Sequence, residues 1–176
     1  MVQVPTVQSE RLELVSMSVP LMAALLDGDE RAARRELDVE VPPHLTADAE
    51  YVLRLRLGQL RARPALQPWL LRLMVPRTGP RRAVGHIGFH GPPDAGGRVE
   101  VGYTVLPEHR RQGLATEACL ALFAWARDEH CVTRFRASVS PGNEPSLAVV
   151  RKLGFRQTGT QWDEVDGEEL VFERDL

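Results

Sequence analysis

Lysine is almost missing from this chain: Lys152 is the sole lysine among 22 Lys and Arg residues. A lysine nucleophile or Schiff base therefore has a single candidate, and the arginine excess is ascribed to coding composition. Cysteine is nearly as scarce, with only Cys119 and Cys131. Both fall in or beside one expected helix, where twelve residues span ~18 Å, far beyond disulfide reach. Free thiols in a reducing cytoplasm are expected. No stretch approaches the ~18 consecutive apolar residues of a membrane span. The opening Met1-Val-Gln-Val-Pro-Thr6 lacks a basic segment followed by an apolar run, so no signal peptide is read. CxxC, HExxH and EF-hand patterns are absent, and no metal site is expected. The net charge of −2 lacks the positive excess that sequence-independent nucleic-acid binding requires.

What remains is an ordinary soluble composition, 43% apolar and 26% charged over 176 residues, read as one domain spanning 1–176. Leu12 and Leu14 alternate with polar neighbours in a first strand over 10–16. Residues 20–26 and 29–37 are read as short helices. Thr46 is read as the N-cap of a long helix to about Ala62, with Ala49, Val52, Leu53, Leu57 and Leu60 on its apolar face and Arg54, Arg56 and Arg61 off it. Strands are expected over 68–75, 82–90 and 100–106, joined by short turns into an antiparallel meander. Residues 112–130 then read as helix, 134–140 as strand and 143–153 as helix, stopped by Gly154 followed by apolar Phe155. The tail reads as two strands about the Asp166-Gly167 turn. A strand, a crossover helix and a strand make a βαβ unit, so the strands near 100 and 134 should be parallel. The expected class is α/β (α+β): a mixed central sheet of about six or seven strands with helices on its faces.

The chemistry concentrates at Tyr103-Thr-Val-Leu-Pro-Glu-His-Arg-Arg-Gln-Gly-Leu-Ala-Thr-Glu-Ala118, a strand, a basic turn and a helix start. The first N–H groups of a helix lack intrahelical acceptors and carry partial positive charge, so anions bind there. Arg110 and Arg111 add forked donors suited to phosphate. Gly113 removes the Cβ that would obstruct backbone approach, and Ala115 stays small. The same residues also read as an arginine-rich surface turn. No Gly-Lys-Ser/Thr follows, as a Walker loop requires, and no Gly-x-Gly-x-x-Gly is present.

Arg110-x-x-Gly113-x-Ala115 resembles the (Arg/Gln)-x-x-Gly-x-(Gly/Ala) pattern of the GNAT superfamily of N-acetyltransferases. Thr6–Leu14 resembles the opening strand of its ribosomal-protein alanine acetyltransferase (RimJ/RimL-like) branch. Val99-Glu-Val-Gly-Tyr103, Gly113–Ala118, Asn143-Glu-Pro-Ser146 and Arg151-Lys-Leu-Gly-Phe155 resemble later segments of that branch, in family order. The resemblance implies acetyl-CoA as donor, no metal, and a parallel strand pair that splays to receive the pantetheine arm. It places the pyrophosphate on the N–H groups of Arg111, Gln112, Gly113, Leu114, Ala115 and Thr116, beside Arg110. The pantetheine would lie along Tyr103–Val105, and an N–H near Thr104 or Val105 would polarise the thioester carbonyl. Asn143 would contact the pantetheine and Ser146 would act as the acid; equally, Asn143 is an N-cap and Ser146 its third helical residue. Glu100 is the best carboxylate base, or else a solvated strand-edge residue while a water chain carries the proton, and Tyr103 either positions a reactant or packs. His86 and His90 share a strand face ~13 Å apart and are read as sheet residues, with one facing the acceptor site as the alternative; Trp69 and Trp162 are read as packing in the core or at the rim, or as lining the acceptor cleft. The implied activity is direct acetyl transfer to a primary amine in a ternary complex: a protein N-terminus, an amino acid or a small-molecule amine. A non-catalytic acyl-CoA sensor and transfer of another acyl group are the alternatives. The implied protein is cytoplasmic, a monomer or homodimer, with no nucleic-acid or membrane partner.

Overall fold

The computed structural model describes residues 4–176. Eight strands form one sheet in the order β1-β2-β3-β4-β5-β6-β8-β7. These are β1 (Val7–Gln8), β2 (Leu12–Ser16), β3 (Arg72–Pro76), β4 (Gly85–Phe89), β5 (Arg98–Val105), β6 (Arg134–Val139), β7 (Arg156–Asp163) and β8 (Gly167–Asp175). Only β5 and β6 run parallel; the other neighbours are antiparallel. The expected mixed sheet is therefore present with one strand more than expected. The extra one is β1, two residues long and paired to β2 through Val7 and Leu14, too short to leave a period-2 pattern.

Both faces of the sheet are covered. Leu12, Leu14, Met74, Ile87, Phe89, Val99, Val101 and Phe135 bury one face beneath α5 (Leu114–His130) and α6 (Glu144–Lys152). Leu73 and Val75, one residue out of phase with Met74, bury the other. There they meet α1 (Val19–Leu26), α2 (Glu30–Glu36), α3 (Pro43–Asp48) and α4 (Glu50–Ala62). Each fully buried side chain of this size contributes about 1.5–3 kcal/mol, and the alternation in β3 lets one strand serve both layers.

The helix read from Thr46 is corrected to two. Pro43 starts α3 at its first helical position, where a missing N–H costs nothing, so Thr46 lies inside α3 and is no cap. Ala49 (φ −99°, ψ 5°) separates α3 from α4. Arg56, expected off the apolar face, is buried at 6% exposure. Its Nη1 donates to Gln59 Oε1 at 2.9 Å and to the His90 carbonyl at 3.1 Å. Burial lowers its pKa and Glu100 opposes that.

Two segments position the site. The crossover from β5 through α5 to β6 carries the basic turn, and α6 follows β6 at once. Asn143 caps α6 by accepting the Ser146 N–H at 3.2 Å. At its other end Gly154 (φ 77°) donates to Arg151 O and Phe155 to Val150 O, both at 3.0 Å, the paired bonds of a Schellman stop.

Candidate active site

The turn between β5 and α5 holds a run of unused donors. A short 3-10 turn (Pro107–His109) leads into Arg110, then Arg111 at φ 62° and Gly113 at φ 78°. The first helical bond of α5 runs from Glu117 N–H to Gly113 O at 3.0 Å. Among the described residues no acceptor takes the N–H groups of Arg111, Gln112, Gly113, Leu114, Ala115 or Thr116. Six consecutive donors at the positive end of a 17-residue helix form an anion cradle. The Arg110 side chain also braces the turn. Its Nε donates to Val105 O at 2.9 Å, tying the turn to the end of β5.

Arg11, which sequence reasoning passed over, completes the cradle. Its Nη1 donates to Gln112 O at 3.0 Å, and its Nη2 lies 3.6 Å from where a Cβ on Gly113 would stand. Glu117 holds it there, accepting from Arg11 N–H (2.7 Å), Arg11 Nε (2.6 Å) and Ser9 Oγ (2.7 Å). Burial raises the Glu117 pKa, but these hydrogen bonds outweigh it and the net is downward. A carboxylate in the first turns of an anion-binding helix needs such a cation. That was the one signal in the sequence that could have found the pair.

Beside the cradle, β5 and β6 part. Their pairing covers Arg98–Arg134, Val99–Phe135 and Glu100–Arg136, while β5 continues to Val105 and β6 to Val139. On its other side β5 stays paired with β4 through Val105. His90 N–H bonds Glu100 O and Leu106 N–H bonds Val84 O, so ladder alternation commits the even residues of β5, Thr104 included, to β4. The Val101 N–H completes the last pair with β6, and those of Tyr103 and Val105 face the opening. Of the two expected carbonyl-polarising donors, Val105 is at the open edge and Thr104 is not.

The side chains of β5 divide by face. Tyr103 lies on the α5 side and its hydroxyl donates to Ser146 O at 3.4 Å, which brings Tyr103, Ser146 and the Asn143 cap to one side of the opening. Burial raises the Tyr103 pKa, reinforced by Cys119, so the phenol stays protonated. Glu100, Gly102 and Thr104 face the other side. There Ser138 Oγ donates to Glu100 Oε1 at 2.6 Å, Gln161 Nε2 donates to Ser138 Oγ at 3.0 Å and to Glu169 Oε2 at 2.8 Å, and Arg136 Nη2 donates to Gln161 Oε1 at 2.5 Å. Burial, with Asp163, Asp166 and Glu100 nearby, raises the Glu169 pKa against the Gln161 hydrogen bond.

His86 and His90 do share a face, but their settings differ. His86 lines an apolar cavity with Met17, Leu25 and Leu45, and its buried Nδ1 has no partner. Burial lowers its pKa to about 4. His90 is half exposed beside Glu100. Trp69 packs against Phe89, Trp125 and His130, away from the opening, while Trp162 is exposed. Among the described residues no three His, Cys, Asp or Glu side chains gather as metal ligands, and no helix is long and apolar enough to cross a membrane.

An anion cradle at a helix start, next to a parallel pair that opens, is the arrangement the family resemblance implied. A domain profile described as an acetyltransferase (GNAT) domain matches residues 11–156. The chain belongs to the GNAT acetyltransferase family. It is 28% identical over 151 residues to the uncharacterized N-acetyltransferase YjdG of Bacillus subtilis, covering 84% of this chain and 88% of that one. Its fold is shared with the ribosomal-protein-S5-alanine acetyltransferase of Vibrio fischeri (TM-score 0.65, 16% identity, 97% of this chain and 96% of that one). It is shared equally with the ribosomal L7/L12 α-N-protein acetyltransferase RimL, solved with coenzyme A (TM-score 0.65, 17% identity, 98% of each chain). The GNAT acetyltransferase fold expected from sequence is thus the fold present.

Proposed function

We propose that this GNAT acetyltransferase transfers an acetyl group from acetyl-CoA directly to a primary amine, with both substrates bound together. The observation that carries the reading is a run of unused backbone donors in two stretches. It comprises Tyr103 and Val105 on the open edge of β5 and Arg111–Thr116 at the start of α5. A linear ligand with an amide-bearing arm and an anionic pyrophosphate matches that run, and coenzyme A is the ligand found with RimL.

When bound, the thioester supplies an acyl carbonyl activated toward amines. The protein's residues do the rest. Arg111, Gln112, Gly113, Leu114, Ala115 and Thr116 hold the pyrophosphate by N–H donation, with Arg110 and Arg11 adding charge. The Val105 N–H serves as oxyanion donor. Ser146 supplies the proton needed as sulfur departs, Tyr103 positions the reacting end, and Asn143 contacts the pantetheine arm while capping α6. Glu100, on the opposite face, promotes loss of the proton from the incoming ammonium, directly or through a neighbouring group. The whole chain acts as one domain, and its two free cysteines suit the reducing cytoplasm.

The test is thiol release from acetyl-CoA with a panel of peptides, amino acids, polyamines and aminoglycosides, repeated with succinyl-CoA. Release with acetyl-CoA and at least one amine supports the reading. Tight CoA binding without release for any amine rejects it in favour of a sensor, and preference for succinyl-CoA reassigns the acyl group.

A further inference from the structure

We propose that the imidazole of His90 is the group that takes the proton from the acceptor amine, and that Glu100 acts through it. The inference rests on the acyl-transfer reading above and deepens it by naming the proton acceptor. Three observations converge on the ring. His90 follows β4 directly, on the sheet face that Glu100, Gly102 and Thr104 share. Its Nε2 stands 3.0 Å from the point where a Cβ on Gly102 would lie, so the ring rests over Gly102, just beyond the last β5–β6 pair at Glu100. Any side chain at that position would press on the ring; glycine leaves it seated where the strands part. Its Nδ1 lies 3.8 Å from Glu100 Oε1. That spacing exceeds a hydrogen bond, as catalytic contacts often do before substrate binds.

The arrangement fixes the ring's chemistry. Glu100 favours the tautomer with the proton on Nδ1, leaving the lone pair on Nε2, the ring atom beside Gly102. The Glu100 carboxylate itself is engaged by Ser138 Oγ at 2.6 Å and lies 3.8 Å from Arg136 Nε, so it is better placed to hold a neighbour than to collect the proton. Arg56, buried in α4, donates to the His90 carbonyl at 3.1 Å and anchors the segment. The charged groups around the ring are Glu100 on β5, Arg56 on α4, Asp163 on β7 and Arg136 on β6. Burial lowers the His90 pKa first, Glu100 and Asp163 raise it, Arg56 and Arg136 lower it, and the net is downward. The imidazole is accordingly neutral near pH 7. In the step, an N–H bond of the ammonium breaks and an Nε2–H bond forms. The electron pair stays on the acceptor nitrogen, ready for the thioester carbon, and the proton leaves to water from the half-exposed ring.

The experiment uses the full chain with the amine that gives fastest thiol release. His90→Gln should lower kcat ~10²-fold or more, leave acetyl-CoA affinity by calorimetry unchanged, and abolish the acid limb of the kcat/KM pH profile. Free imidazole should restore turnover to His90→Ala. A His90→Gln enzyme within about threefold of wild type in kcat, with its acid limb intact, overturns the assignment. So does loss of that limb in Glu100→Gln alone. Independently of any acceptor, saturating acetyl-CoA should shift the His90 ring signals in NMR, identified by their absence from His90→Gln. Unmoved signals overturn the proposal even where acetyl-CoA binds. Failure of wild type to bind acetyl-CoA at all is a different result, and rejects the acyl-transfer reading itself.

Discussion

Gly113→Ala separates the anion cradle from the rest of the fold. Gly113 sits at φ 78°, where an L side chain costs roughly 1–2 kcal/mol. Restricting the unfolded chain returns about 0.4–1 kcal/mol of that. The new Cβ meets only Arg11 Nη2, at 3.6 Å, an ordinary van der Waals contact, so nothing in the protein is forced aside. Net destabilisation should be about 1 kcal/mol, a fall in Tm of ~2–4 °C for a chain of this length. The methyl group projects beside Arg11 on the outside of the turn, where a pyrophosphate would approach the N–H groups. Displacing that group breaks about two charge-assisted hydrogen bonds at ~1.5–3 kcal/mol each, or ~10²–10⁴-fold in Kd. Calorimetry with acetyl-CoA and a thermal melt read the two effects separately. S-acetylpantetheine, which lacks the pyrophosphate, should serve wild type and variant equally. A folded variant whose acetyl-CoA affinity stays within about threefold of wild type would refute the cradle.

Ser146→Ala should lower turnover more than acetyl-CoA affinity; equal turnover at saturating donor rejects the acid role. Glu117→Ala loosens Arg11 and leaves its N–H unpaired, with the Ser9 hydroxyl kept only by Leu12, and should cost about 1–2 kcal/mol in urea unfolding with a weaker acetyl-CoA affinity; unchanged affinity would remove Arg11 from the cradle. The His86 pKa, lowered by burial to about 4, makes the unfolded chain bind the extra proton, so stability falls as pH drops below ~6.5 and the loss ends below the folded value. His86→Leu should therefore lose ~2–3 kcal/mol less than wild type between pH 7 and pH 4.5, and parallel pH dependence of the urea midpoints would show that the ring is protonated freely in the folded state.

What could be read from the sequence was local. The stop of α6 at Gly154 and its cap at Asn143 lie within one turn of the residues they satisfy, and the β5–α5 turn carries its glycine and arginines within four positions. The parallel pair followed from chain direction alone. What escaped was assembled from distant segments. Arg11 and Glu117 are 106 residues apart, and the bond from Arg56 to the His90 carbonyl spans 34. Helical periodicity put Arg56 off the apolar stripe; tertiary packing found it a buried acceptor. Glu100 was visible as a strand carboxylate, but Ser138 reaches it from β6, and Gln161 and Glu169 extend that chain only because β8 returns beside β6 and β7 pairs outside it.

The parity of β5 lets one strand serve three roles in the proposed site. Its odd side chains, Val99, Val101 and Tyr103, face α5 and pack into the core there. Its even residues carry Glu100 and the bare surface of Gly102 on which His90 rests. The edge polarity obeys the same count, with even N–H groups committed to β4 and odd ones directed toward β6, where those of Tyr103 and Val105 lie beyond the last pair. Because the period is two, a one-residue slip would exchange all three assignments together. It would turn Glu100 into the core, Val101 into the acceptor face, and the Val105 N–H toward β4. The register is held by five consecutive pairs with β4. The strand that opens on one edge beyond Glu100 is thus held by an unbroken ladder on the other.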